Sequence, residues 1–147
     1  MATQIDTMGV IHEYLSTQSD LNLETAGEAV HDIVGTRVYV EQLPRSVAER
    51  SQAALVIQRF GGAGSPYTTV DNPLIRIKCY GGSGALRASF TLARAVGDRL
   101  NGITTVATAT GVIMSAIEVQ GAQIVIEQET EGMHAFVDYQ IEVRAAS

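Results

Sequence analysis

The sequence predicts an α+β domain in which a mostly antiparallel sheet is packed on one side by helices, in the order helix, strands, helix, three-strand meander. Three observations carry that prediction. Residues Ala85 to Leu100 repeat apolar side chains at helical spacing. Leu74 to Tyr80 alternates, with Ile75, Ile77 and Cys79 on one face and Arg76, Lys78 and Tyr80 on the other. The last third reads as three β-like runs separated only by Gln120-Gly121 and Thr130-Glu131-Gly132. With 147 residues, 46% hydrophobic and 18% charged, the chain suits a single domain over residues 1–147 with its own core rather than a disordered polymer.

Taken in order, the first helix is expected to start at Thr3, capped with the help of Asp6, and to bury Ile5, Met8, Ile11, His12 and Leu15 as one stripe. The polar Ser16 to Leu23 stretch is a connection. A short second helix over Glu24 to Val34 ends at Gly35. Arg37 to Val40 forms a short strand stopped by Leu43-Pro44, and Ser46-Val47-Ala48-Glu49 has the pattern of a capping box. Ala53 to Phe60 is apolar on both faces, as a covered central strand is. Gly61 to Asn72 holds Gly-Gly, Gly-Ser-Pro and Asp-Asn-Pro and reads as a loop.

In the long helix Leu86, Phe90, Ala93, Val96, Gly97 and Leu100 form the stripe assigned to the core. Arg87, Thr91, Arg94 and Asp98 point the other way, and Asn101-Gly102 terminates the helix. The closing strands are read as Val112–Val119, Ala122–Gln128 and His134–Arg144. In the last of them Ala135, Val137, Tyr139, Ile141 and Val143 face the core, while His134, Phe136, Asp138, Gln140 and Glu142 face out.

Chemistry is hard to find in this pattern. Gly82-Ser83-Gly84 follows a strand and precedes a helix, but Arg87 stands where a dinucleotide fingerprint needs its third glycine, and no Lys-Ser/Thr follows as in a P-loop. The three histidines, His12, His31 and His134, lie in different elements with no Cys, Asp or Glu at metal-ligand spacing. Glu127, Glu129 and Glu131 alternate as solvated strand carboxylates do. No serine sits in a nucleophile elbow, and the single cysteine, Cys79, lies in a strand pattern as a small core residue. The expectation is a protein without enzymatic activity, catalytic residues, metal or cofactor. No apolar run reaches bilayer length and no signal-like segment opens the chain, so a soluble protein made in a cytoplasm is expected, without membrane partners. A ferredoxin-like ligand-binding or regulatory module with an anion site at Gly81–Gly84 is the alternative these residues leave open.

Charge is segregated along the chain. Residues 1–36 hold six acids and no Lys or Arg. Residues 37–99 hold nine bases against Glu41, Glu49, Asp71 and Asp98. From Leu100 onward six acids face Arg144 alone. The total is −6, so tight binding of nucleic acid is not expected. Such segregation fits a solvated surface, or opposed acidic and basic faces that meet between identical subunits and register their interface.

The order of these signals resembles the tail-terminator (tail-completion) family of long-tailed bacteriophages. The resemblance rests on the amino-terminal helix, Gly35-Thr36-Arg37-Val38-Tyr39 and Leu43-Pro44, and Leu55-Val56-Ile57 closing on Gly61-Gly62. It continues through Ile75-Arg76-Ile77-Lys78-Cys79-Tyr80-Gly81, the helix with Ala93, Val96, Leu100, Asn101 and Gly102, and the ending Tyr139-Gln140-Ile141-Glu142-Val143. It implies a virion protein at the head-proximal end of the tail. Such a protein forms a six-fold ring that stops polymerisation of the tube protein and docks the head connector or neck protein, with genomic DNA passing through the lumen. A ring needs two different faces to meet. The basic helix face (Arg87, Arg94) or strand face (Arg76, Lys78) is therefore expected against an acidic sheet face (Glu127, Glu129, Glu142) of the next subunit. Phe60, Gly61, Gly62, Tyr67 and Asp71 are the expected contacts with tube or connector.

Overall fold

The computed structural model describes residues 6–16, 38–41, 53–63, 70–81, 86–127 and 132–145. Two helices and six strands follow one another as α1 (Thr7–Ser16), β1 (Val38–Val40), β2 (Ala53–Ala63), β3 (Val70–Gly81), α2 (Leu86–Leu100), β4 (Thr104–Ala107), β5 (Gly111–Glu127) and β6 (Gly132–Ala145). The strands make one sheet in the order β1-β2-β3-β6-β5-β4, with β1 parallel to β2 and every other pair antiparallel.

The expected class is corrected here. The protein is mostly sheet, and the sheet is single and mixed, carrying two helices among the described residues. The closing meander of three strands is not the one read from the sequence. Gln120-Gly121 is no turn: β5 runs through it, with irregularities in register between Glu118 and Gln123 that let the strand bend without ending. A further strand, β4, lies over Thr104–Ala107, where none was expected. The Gly61–Asn72 loop is also shorter than expected, because β2 and β3 continue pairing to Gly62↔Pro73 and Ala63↔Asn72 beyond a bulge at Arg59/Gly61. Gly62 has a φ of 104°, which glycine adopts without strain. The expected Glu24–Val34 helix, the Ser46–Glu49 capping box, Tyr67, Gly82–Gly84 and Glu129 lie outside the described residues.

Both helices pack on the same face of the sheet. Val10, Ile11 and Leu15 of α1 and Leu92, Val96 and Leu100 of α2 are buried against Ile75, Ile77 and Cys79 of β3 and Val137, Tyr139 and Ile141 of β6. The strand alternation read from the sequence is what supplies that inner face. The helix stripe is rotated from its expected phase: Ser89, Leu92 and Arg99 are buried, while Phe90 is exposed. Two contacts set the rotation. The Tyr14 hydroxyl donates to the Arg99 carbonyl at 2.7 Å, and the Arg99 guanidinium donates to the Tyr14 carbonyl at 2.6 and 3.0 Å while lying 4.3 Å from the Tyr14 ring centroid. A cation in the last turn also suits the helix dipole.

Thr3 lies outside the described residues, and among them α1 is capped by Asp6. Its side chain accepts the Gly9 N–H at 3.1 Å and its carbonyl accepts Val10 N–H at 3.0 Å. Asn101-Gly102 ends α2 as expected: Asn101 N–H reaches the Gly97 carbonyl at 2.8 Å, and Gly102 takes a φ of 83°.

Candidate assembly surface

Three regions hold the residues singled out in the sequence. The first is the sheet face turned away from the helices. Arg76 lies there between two aromatic rings, 5.1 Å from the Phe60 centroid and 4.1 Å from that of Phe136. It donates to both carboxylate oxygens of Asp138, at 2.9 and 3.2 Å. Register explains the pairing, since Arg76 and Asp138 are direct cross-strand neighbours. Tyr80 and His134 stack nearby with centroids 4.6 Å apart, beside a second small core of Ala54 and Val56. His134, Phe136 and Asp138 point away from the helices, as read, yet all three are buried. Arg76 is thus committed within its own chain, with Asp138 holding the guanidinium in its charged form. Lys78, half-buried, lies on the same face, and so does Glu142, half-buried and opposite Ser115.

The second region is the far end of the β2–β3 hairpin. Phe60 is exposed there, at 47%. Asp71 is not a loop residue: it accepts hydrogen bonds from both Arg59 guanidinium nitrogens and, at 2.6 Å, from the Thr7 hydroxyl. It therefore ties the start of α1 to the hairpin. Partial burial favours its neutral form, but the Arg59 and Thr7 hydrogen bonds outweigh that and hold the carboxyl below the usual carboxylate range. A depressed acid contributes its stabilisation above its unfolded-state value, about 3.9, and loses it as pH falls through the folded value. Urea midpoints measured from neutral pH into acid are therefore expected to fall less steeply for Asp71→Asn than for the wild type.

The third region is a cleft of about 360 Å³ between α2 and the β5–β6 ribbon. Phe90, Ala93, Ala122 and Val137 form its apolar walls, and Arg94, Asp98 and Glu118 its charged rim. Arg87, Thr91, Arg94 and Asp98 form the exposed stripe of α2, as the helical spacing predicted. Beside the cleft Ile117, Val119 and Ile124 of β5 are exposed at 57, 53 and 42%. Sequence reasoning placed Arg87 and Arg94 at an interface but put none of Ile117, Val119 and Ile124 in a site. The available signal was composition: Gly111–Glu127 carries many apolar residues and, before Glu127, only Glu118 as a charge. Arg87 and Arg94, on the helix layer, lie on the opposite side of the sheet from Arg76, Lys78 and Glu142, so the two basic faces proposed from sequence are separate surfaces. Glu127 closes β5.

Reactive groups are not assembled in these regions. No group of three or more potential metal ligands occurs among the described residues. His12 Nε2 sits 2.8 Å from the Val38 carbonyl. Full burial pushes the Cys79 thiol up, away from the reactive thiolate. Gly81 N–H donates to the Ser89 hydroxyl at 3.0 Å, so this turn amide is already satisfied. No described helix is long and apolar enough to cross a membrane.

No family model and no curated protein matches the chain. Among solved structures, a chain of the virion of the native gene transfer agent (GTA) particle is similar in fold, with a TM-score of 0.60 at 16% identity over 95% of this chain and 98% of that one. At that identity the likeness is one of fold.

Proposed function

We propose that the chain is a structural protein of a phage-like virion, and that within it the chain acts as a tail terminator. The observation that carries this reading is end-to-end agreement in fold with a virion component, extending over 95% of this chain and 98% of the other. A shared core motif would match only in part. The order of sequence signals shared with tail terminators supports the finer role.

The mechanism is steric. Six copies close into a ring on the last ring of tube protein, occupy the surface to which the next would add, and offer their other side to the head connector or neck protein. The acidic total of −6 keeps the passing genome from adhering to the lumen, since DNA binding gains from the counterions that basic side chains release. Phe60, Gly61, Gly62 and Asp71 mark the end of the subunit where the β2–β3 hairpin meets α1. That end is the assigned contact with tube or connector.

Adding the purified chain to polymerising tube protein from the same particle tests the reading. The expected result is shortened tubes, each closed at one end by a six-fold ring with a hole as wide as duplex DNA in negative stain. Tubes of unchanged length with bare ends would overturn it.

A further inference from the structure

We infer that the cleft between α2 and β5, together with the strand edge beside it, is the receiving half of a head-to-tail contact with a second copy of this chain, and that the incoming half is the basic end of α2 at Arg87.

The strand edge comes first. β4 covers β5 only as far as Ser115. The α2–β4 turn then takes the next two backbone groups, the Ala116 carbonyl from Gly102 N–H at 2.8 Å and the Glu118 N–H on Asn101 Oδ1 at 3.0 Å. From Val119 onward β5 pairs with β6 alone among the described strands. Residues 117 to 124 are all exposed, so no layer of the described residues lies over that stretch. Ile117 is cross-strand to Gln140 and Ile124 to Ala135, placing apolar side chains on both faces of the ribbon. An uncapped edge with exposed apolar side chains joins to another chain unless charge guards it. Here the only charge between Gly111 and Ile126 is Glu118.

Charge then selects the occupant. Asp98 and Glu118 line the cleft with one base, Arg94, to set against them. Arg87 is exposed on the same helix but eleven residues from Asp98, about 16 Å along the axis, too far to neutralise it within one copy. A second copy satisfies both: its Arg87 end meets the acidic cleft, while its own cleft stays open for a third. Two unlike surfaces that complement each other give a heterologous contact, which a closed ring requires and a two-fold dimer does not use. The contact joins Arg87 of one chain to Asp98 and Glu118 of the next.

Sedimentation velocity over a concentration series of the full chain is the test. The wild type is expected to associate reversibly. Ile117→Lys, Arg87→Glu and Glu118→Arg, all at exposed positions, are each expected to raise the dissociation constant about tenfold or more with unchanged urea midpoints. Combining Arg87→Glu with Glu118→Arg is expected to recover most of the loss, because the pair is restored with its charges exchanged. A chain that stays monomeric throughout, an association indifferent to Arg87→Glu (an edge-to-edge dimer included), or a double variant no better than the singles would overturn the contact. The inference rests on the terminator reading only for the number of copies. Association that behaves as described while tube growth is unaffected overturns the terminator alone, and capping that survives Arg87→Glu overturns this contact alone.

Discussion

Gly81→Ala is expected to be among the most damaging single-methyl changes this chain can suffer, lowering stability by about 3 kcal/mol. A Cβ at residue 81 would come within 2.7 Å of Ala88 Cβ and closer still to the backbone of Ala88 and Ser89. The obstacle is helix backbone, which no rotamer change can move aside. α2 must lift from the end of β3, breaking the 3.0 Å bond from Gly81 N–H to the Ser89 hydroxyl and loosening Leu92 and Val96 beneath it. Gly102→Ala is the control. It has a φ of 83° and nothing within 4 Å of an added Cβ, so it carries only the backbone penalty of roughly 1 kcal/mol. Urea unfolding followed by circular dichroism separates the two, and equal losses would show that the strand–helix approach at Gly81 is not tight.

Arg76→Ala is expected to cost about 3 kcal/mol or more, a loss out of proportion to a side chain that is one-third exposed. The loss comes from Asp138, whose side chain is only 3% exposed and would be left as a buried carboxylate without its cation. Removing both partners, as Arg76→Met with Asp138→Leu, is expected to be far milder, because no buried charge is then left alone. A double-mutant cycle in urea therefore reads the coupling directly, and additive losses would count against it. The same cycle bears on assembly: if Arg76 serves only its own chain, the double variant still associates as the wild type does.

Much of the inner layer was legible in the sequence because period-two alternation over Leu74–Tyr80 and His134–Arg144 admits one buried set each. The helix at Leu86–Leu100 was legible for the same reason, though not its phase. Phe90 was assigned to the core on hydrophobicity, whereas the clasp between Tyr14 and Arg99 turns it out to the cleft, and that clasp joins residues 85 apart. Turn chemistry misled twice. Gln120-Gly121 has turn composition, but β6 continues to pair on both sides of it, and tertiary pairing overrides local preference. Gly61-Gly62 likewise lies in a paired strand, where the glycines accommodate a bulge. β4 escaped notice because four residues, three of them exposed and only Val106 half-buried, leave little hydrophobic signature. The cleft and the β5 edge were illegible because a sequence shows which residues are apolar but not which of them the fold leaves uncovered.

Where β3 meets β6, Val70–Cys79 pairs with Ala135–Arg144, and this seam joins the two halves of the chain at the middle of the sheet. On the ribosome the first half therefore emerges with β3 as a bare edge and its inner face half-roofed, and no local hairpin can complete it. The closure spans 56 residues at its nearest pair, Cys79 with Ala135, and 74 at its farthest, Val70 with Arg144, so the loop entropy falls due before any of the core rewards it. Strand β6 is then the keystone: synthesis must pass Gly132–Ala145 before this subunit has an interior.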